Sequence, residues 1–451
     1  MHVVIIGNGI AGITTARTLR KKNSACSITV ISSESKHFYS RTALMYIYMG
    51  HMKFEHTKPY EDWFWEKNRI DLCFDHVENI QFENKLIQLR SGQSKTYDKL
   101  VLATGSVPNR YDWPGQQANG VISLYGLQDL ELLEKYSATT KRAVIVGGGL
   151  IGIELAEMLR TRNIEVTYLV REPYFWANIL PTEEGEMISK NMQQDHHIDL
   201  QLNSELKQIF SDSSGRVEAV ATTKGERIPC ELVGITVGVR PNVDFLKYSD
   251  LEIERGILVN EYLETNVPDV FACGDCVQHR NPQAGRKAVE QIWYTGRMMG
   301  ECLGETLAGI STPYKPGVWF NSAKFFDIEY QTYGEVPAKL PDDKADFYWQ
   351  HPEKKVALHF VYQKESEGFS GVNSFGIRLR HAVLEQWIKE RKTIEYVLTH
   401  FRDAWFEPEF HKNYSPEIIA VFNQKMGSNL KVETKSWKRI LSHIKSATYG
   451  H

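Results

Sequence analysis

Apolar residues in this chain fall in short runs that twice end in a cluster of glycines. Val3-Val4-Ile5-Ile6 has no polar alternation, the pattern of a strand buried on both faces, and it flows into Gly7-Asn8-Gly9-Ile10-Ala11-Gly12. Beyond the glycines the spacing becomes helical through Thr15, Ala16 and Leu19, and a second strand follows at Ile28 to Ile31. The arrangement returns later: strand Ala143 to Val146, then Gly147-Gly148-Gly149-Leu150-Ile151-Gly152, then a helix carrying Ile153, Leu155, Ala156 and Leu159, then a strand from Glu165 to Val170. Strands alternating with helices predict an α/β fold with parallel sheets. From about residue 319 the pattern changes. Val356 to Tyr362 and Gly371 to Ile377 read as strands, and Ala382 to Ile388 and Ile394 to Phe401 as helices, which predicts a C-terminal α+β domain. At the end of the chain Trp437, Ile440, Leu441 and Ile444 keep helical spacing among Lys435, Lys438, Arg439 and Lys445. We read this as a helix docked on its own domain, with a membrane surface or an acidic redox partner as the alternative.

The glycine clusters carry the chemistry. In the first, Gly7, Gly9 and Gly12 permit a tight turn, close approach of backbone to a pyrophosphate and packing of helix on strand, and the helix N-terminus faces the phosphates. Glu34 follows 22 residues after Gly12, near the spacing of an acid that holds an adenosine ribose. The second cluster, with Gly147, Gly149, Leu150, Ile151 and Gly152 as candidate ligands, lies about 140 residues further on, so two dinucleotide sites are expected. At the end of the strand after it stand Arg171 and Glu172. An arginine there pairs with a 2′-phosphate and an acid with a 2′-hydroxyl, so Arg171 leans the expectation toward NADPH while Glu172 keeps NADH open.

Composition narrows the class. At roughly 100 to 200 residues per domain, 451 residues predict three units. A net charge of -3 gives no electrostatic reason for nucleic-acid binding, and the apolar runs fall well short of the ~20 residues that span a bilayer. No signal peptide is visible, and the six scattered cysteines lack the density of a disulfide scaffold, so a cytoplasmic location is expected. No histidine spacing makes a metal set.

Two further segments, Leu100 to Ser106 and Thr265 to Asp275, join the fingerprints in the order found in the FAD-dependent pyridine nucleotide-disulfide oxidoreductases, and residues 1 to about 335 resemble that superfamily. The resemblance implies a glutathione-reductase-like fold of two Rossmann-like domains: FAD-binding over 1–113 and 242–318, NAD(P)-binding over 114–241, and a C-terminal domain over 319–451 that builds a homodimer interface. It implies that Gly7, Gly9, Ala11, Gly12, Glu34, Val77, Ala103, Thr104, Gly105 and Asp275 hold FAD, with Asp275 accepting from the ribityl chain. Gly238, in Val237-Gly238-Val239-Arg240-Pro241, is placed with the NAD(P) residues. The stretch Glu34 to Leu44 is similar to the branch holding nitrite-reductase flavin domains, rubredoxin reductases and ferredoxin reductases, where the Tyr39-Ser40-Arg41 segment runs along the flavin. Arg41 is therefore placed there, and Glu154, on the second fingerprint helix, near the nicotinamide.

The chain also departs from the superfamily. Relatives with a thiol relay carry cysteine after the first Rossmann helix or near position 40 to 45, where this chain reads Ser40-Arg41-Thr42-Ala43-Leu44-Met45. Without a thiolate at that face, electrons are expected to leave directly from the flavin. Cys273-Gly274-Asp275-Cys276 overlaps the FAD segment and is read as structural. The lysine that relatives pair with the helix glutamate is replaced by Tyr46. The resulting expectation is an enzyme that passes electrons from NAD(P)H through FAD to a separate ferredoxin- or rubredoxin-type iron-sulfur protein. A small-molecule acceptor is the second reading. A flavin-bound sensor or scaffold, resembling the mitochondrial flavoprotein cell-death factors, is the third.

Overall fold

The computed structural model describes residues 1–409 and 412–432, so the helix proposed around Trp437 lies outside the described residues. The chain divides into two compact units, one of residues 1–177 and 185–317 and the other of 178–184 and 318–451.

The first unit contains two five-stranded parallel sheets. In the first, the strands run in the spatial order Val270–Ala272, Lys99–Leu102, His2–Ile6, Ser27–Ser32, Ile70–Phe74. Val3, Val4 and Ile5 are fully buried, as an uninterrupted apolar run at the centre of a covered sheet requires. Ile6 is paired on one side with Ile31 and on the other with Leu102, so Gly7, Ser32 and Ala103 emerge together at one edge of the sheet. The chain leaves His2–Ile6 toward opposite flanks, which makes this edge a topological switch point, where open α/β sheets open a crevice. Helix α1 (Ile10–Lys22) starts at that edge. Helix α2 (Leu127–Ser137) lies between the first two strands of the second sheet in chain order, a sheet whose spatial order is Asp199–Leu202, Glu165–Val170, Arg142–Val146, Leu232–Ile235, Val121–Ile122, and helix α3 (Leu150–Thr161) rises from the second glycine cluster. Helix α4 (Trp293–Leu307) packs along α1.

The second unit is built on an antiparallel sheet ordered Phe320–Phe325, Ile328–Gly334, Phe369–Phe375, Ala357–Gln363, Lys344–Gln350, with helices at His381–Lys389, Ile394–His400 and Ser415–Met426. Phe347, Phe360, Val372, Leu384, Phe401 and Trp405 form its core. A polar cluster is buried with them: His359 bridges the Glu184 carboxylate at 3.0 Å and Asp346 at 2.7 Å, and Asn373 donates to both Glu184 oxygens.

Candidate functional site

A cleft of about 700 Å³ opens at the switch point of the first sheet. It brings together most of the residues picked out for FAD. Gly7, Gly9, Ala11 and Glu34 line it from the first strand-turn-helix unit, Val77 and the turn Ala103-Thr104-Gly105 from its sides, and Gly274 and Asp275 from the segment after Val270–Ala272. Gly12 faces inward and is buried at the base of α1. From the second glycine cluster and its helix Leu150, Ile151 and Glu154 reach the cleft, and Leu124, Tyr125 and Val239 reach it from elsewhere in the range 114–241. Gly147, Gly149 and Gly152 instead gather around the Tyr168 hydroxyl, which donates to the Gly147 and Gly149 carbonyls at 2.8 and 3.2 Å. Gly238 is in a left-handed conformation (φ +87°) and its carbonyl accepts from the Asn109 amide.

The cleft fits a dinucleotide on three counts. Gly7 holds φ +113°, and a side chain there would strike the Ala103 carbonyl, so the backbone lies flat between the two strand ends. Gly9, the N-cap of α1, has open space where a side chain would stand. The first turn of α1 has neither a side-chain cap nor an acid, which leaves its amides and the positive end of its dipole facing the cleft.

Carboxyl groups dominate the cleft's titratable chemistry. Asp275 accepts from the Ser106 hydroxyl at 3.0 Å, and Gln291 donates to that same hydroxyl oxygen at 2.6 Å. Burial pushes the Asp275 carboxyl up to about 6, against the opposing pull of Ser106 and Arg41. Burial, with Glu157 beside it, pushes Glu154 up to about 7. Burial would raise Glu34 too, but the Arg41 guanidinium, the Tyr39 hydroxyl and the Leu127 amide outweigh it and hold the group below its ordinary value. Arg41 is the sole lysine or arginine among the residues that line the cleft, and its guanidinium lies against the Tyr125 ring at 4.5 Å.

Several lining residues carry no motif of their own. Ser106 directly follows the 103 to 105 turn, so proximity could have flagged it, whereas Tyr125, His76, Phe245 and Gln291 arrive through tertiary folding alone. Cys273 also lines the cleft, but its thiol contacts the Thr15 hydroxyl at 3.6 Å, and the Cys276 thiol donates to the Leu102 and Cys273 carbonyls at 3.4 Å. Burial raises both thiols far from the thiolate form, consistent with the structural reading of this pair.

At the second fingerprint, Arg171 is 67% exposed and its Nε donates to Glu172 at 2.8 Å, while Glu172 is only 18% exposed. A side chain at Gly148 would come within 3.6 Å of the Glu172 carboxylate, which places that acid under the glycine loop. Among the described residues no helix is long and apolar enough to cross a membrane.

Residues 1–292 match the family model described as pyridine nucleotide-disulphide oxidoreductase. A nitrite reductase of Bacillus subtilis, named for NAD(P)H, is 29% identical over 338 residues, which is 74% of this chain but only 41% of that longer protein. An NADH oxidase of Methanocaldococcus jannaschii is 30% identical over 341 residues, 73% of this chain and 75% of that protein. Rhodocoxin reductase of Rhodococcus erythropolis is 29% identical over 334 residues, covering 72% of this chain and 76% of its own. Among solved structures, the fold is shared with an NAD-dependent persulfide reductase from A. fulgidus (TM-score 0.82, 22% identity, 95% of this chain and 84% of that one). It is shared as well with putidaredoxin reductase in its covalent putidaredoxin complex (TM-score 0.79, 21% identity, 93% and 98%).

Proposed function

The chain belongs to the pyridine nucleotide-disulphide oxidoreductase family and is an FAD-dependent NAD(P)H oxidoreductase, and from that premise we propose that it draws on NADH and delivers electrons to a separate small redox protein without a thiol relay. The observation that carries this reading is the make-up of the cleft wall. The segment from Arg41 to Met45 contributes Arg41, Thr42, Leu44 and Met45 to the lining and no thiol, and the one lining cysteine, Cys273, is buried and hydrogen-bonded.

FAD bound in the cleft supplies the conversion of a two-electron hydride into single electrons. The chain supplies binding, orientation and proton control. The amides at the start of α1 meet the pyrophosphate, Gly7 and Gly9 let the backbone approach it, and Ala103 to Gly105 bound the flavin side of the cleft. Asp275, with one oxygen turned to Ser106, offers the other to a ribityl hydroxyl. Glu154, raised toward neutrality, holds a proton at the face where the nicotinamide module enters the cleft.

The preference for NADH rests on Glu172. It is the group beneath the second glycine loop and suits a ribose 2′-hydroxyl, while Arg171 is turned to solvent and neutralised by the same carboxylate. This reverses the lean toward NADPH drawn from Arg171 in the sequence. A separate protein acceptor draws support from the relatives named as reductases of small redox proteins.

Anaerobic titration of the purified protein with NADH and NADPH, followed by stopped-flow reoxidation, tests each part. Bleaching of the flavin at a tenfold or more lower concentration of NADH than NADPH is expected, as is faster reoxidation by a ferredoxin or rubredoxin than by oxygen or a quinone. Equal response to both nucleotides overturns the role of Glu172, and faster reoxidation by oxygen transfers the protein to the oxidase class.

A further inference from the structure

Single aromatic rings on a protein surface are ordinary, so exposure by itself marks no site. Tyr111 is 54% exposed, and what sets it apart is where its loop is fixed. In the second sheet Val146 pairs with Ile235, so the glycine loop from Gly147 and the segment Thr236-Val237-Gly238 leave the sheet at one edge. They leave it side by side: a side chain on Gly147 would stand 2.6 Å from the Thr236 carbonyl oxygen and 3.1 Å from Val237 Cα. A two-stranded antiparallel ribbon, Ser106–Pro108 against Val239–Pro241, carries the loop of residues 109–113 to that edge. There the Asn109 amide donates to the Gly238 carbonyl at 2.9 Å, and its side chain donates to the Val237 carbonyl at 3.4 Å.

The far end of the loop is held as firmly. Trp113 packs on the core formed by Val144, Val146, Leu169 and Ile235, and the Pro114 carbonyl accepts from the Ile209 amide at 2.9 Å. The Trp113 amide donates to the Tyr111 carbonyl at 2.8 Å. The two rings stand with centroids 5.2 Å apart and planes at 79°, an edge-to-face contact that braces Tyr111 and covers at most one of its faces. Tyr111 also lies within electrostatic reach of Arg171, the neighbour of Glu172. The ring and the strand end that carries Glu172 therefore open on the same space at the mouth of the glycine loop.

We propose that Tyr111 is a binding residue of the nicotinamide-dinucleotide site, its ring stacking on the adenine while Glu172 holds the adjoining ribose. This deepens the reading given above for Glu172 and rests on it. The chemistry of the ligand joins the two residues: adenine is bonded to the ribose carbon next to the one that bears the 2′-hydroxyl, so a carboxylate that holds that hydroxyl brings the base to the same mouth. A purine offers a π-face on each side, and an exposed ring already braced by the fold loses little further freedom when a base covers it. Stacking reads the base and not the 2′ position. Tyr111 therefore adds affinity for NADH and NADPH alike, and discrimination between them stays with Glu172.

The test uses the full chain with FAD bound. Tyr111→Leu keeps an apolar side chain against Trp113 but has no plane, and Tyr111→Phe keeps the plane without the hydroxyl. One readout is the calorimetric affinity of the oxidised protein for ADP-ribose, which carries adenine and no nicotinamide. The other is the second-order rate of anaerobic flavin bleaching by NADH and by reduced nicotinamide mononucleotide, which carries no adenine. Tyr111→Leu is expected to weaken ADP-ribose binding and slow bleaching by NADH, each by roughly 5- to 100-fold, while the mononucleotide rate shifts by less than about twofold. Tyr111→Phe is expected to stay within about threefold of the parent in every readout. Unchanged ADP-ribose affinity in Tyr111→Leu overturns the proposal. An equal fall for NADH and the mononucleotide overturns it too, because the ring then serves the nicotinamide half or the fold of the site. Tyr111→Phe as weak as Tyr111→Leu does the same, since the hydroxyl and not the plane is then what binds. The Glu172 reading fails separately: it concerns the ratio of NADPH to NADH response, which Tyr111→Leu leaves as it is. A parent that responds equally to both nucleotides sinks the role of Glu172, and the ADP-ribose comparison still decides that of Tyr111.

Discussion

Glu154 lies on α3 with its carboxyl in the cleft, and burial with Glu157 nearby raises it to about 7. An acid whose folded-state value lies above its unfolded one binds protons more tightly when folded, so folding is favoured at low pH and loses stability as pH rises from the ordinary carboxyl value of 4.5 through about 7. Glu154→Gln removes that dependence. The variant should melt ~2 °C or more above the parent at pH 8 and by a much smaller margin at pH 5, measured by thermal denaturation at both pH values. An equal gain at both would show that the carboxyl is not raised. Gly9 was legible from its own fingerprint, while Glu154, Asp275 and the 103 to 105 turn were expected from the family resemblance, and all of them line the cleft. The sequence could not decide between Arg171 and Glu172, neighbours just past a strand end whose exposure, 67% against 18%, is set by the surrounding fold. Nor could it find Tyr125 or the link from Gln291 to Ser106, whose partners are 84 and 185 residues away in sequence.

In the sheet of the second unit two covered strands were legible, whereas the interior strand Ile328–Gly334 and both edges were not. Ala357–Gln363 and Phe369–Phe375 lie inside their sheet and are buried almost throughout, and both were visible as apolar runs. Phe320–Phe325 and Lys344–Gln350 are the two edges of that sheet, with mixed burial and polar residues along their length, and neither stood out. In the first unit the packing of α4 on α1 has its own signature, Gly296, Gly300 and Gly304 at intervals of one turn. A side chain on Gly300 would stand 2.5 Å from the Ala11 carbonyl and 2.8 Å from Thr14 Cβ. Gly300→Val must therefore push the helices apart at the turn that opens onto the cleft, at an overpacking cost of ~1–3 kcal/mol or more. The expected outcome is a lower melting temperature and loss of most bound flavin on desalting, followed by visible absorbance. An unchanged melting temperature with full colour would mean that α4 need not touch α1.

At the scale of the whole chain, the first unit holds both glycine fingerprints and every residue of the cleft, while the second takes in residues 178–184 from the middle of the sequence. Sequence patterns foresaw an uninterrupted second module over 114–241; the short run around Leu180 has no period of its own to reveal that it packs elsewhere. The distribution of thiols over this architecture bears on the reaction. Cys26, Cys230, Cys273, Cys276 and Cys302 are buried and Cys73 is half-buried, and none is in a disulfide. Burial raises Cys230 to about 12 and Cys302 to about 11, and it raises Cys73, Cys273 and Cys276 as well. A thiol in that state is a poor nucleophile and a poor electron relay, because the thiolate is the reactive form. Prolonged exposure of the native protein to iodoacetamide at pH 8 should consequently modify at most Cys73, read by intact mass, and leave NADH-driven reduction and reoxidation of the flavin within about twofold of the untreated protein. Loss of more than about tenfold on modification would reinstate a thiol between nicotinamide and acceptor. Retained turnover would instead require the acceptor to approach the flavin cleft itself, where the exposed rings of Phe74 and Phe245 flank the lining residues Asp75 and Asp244.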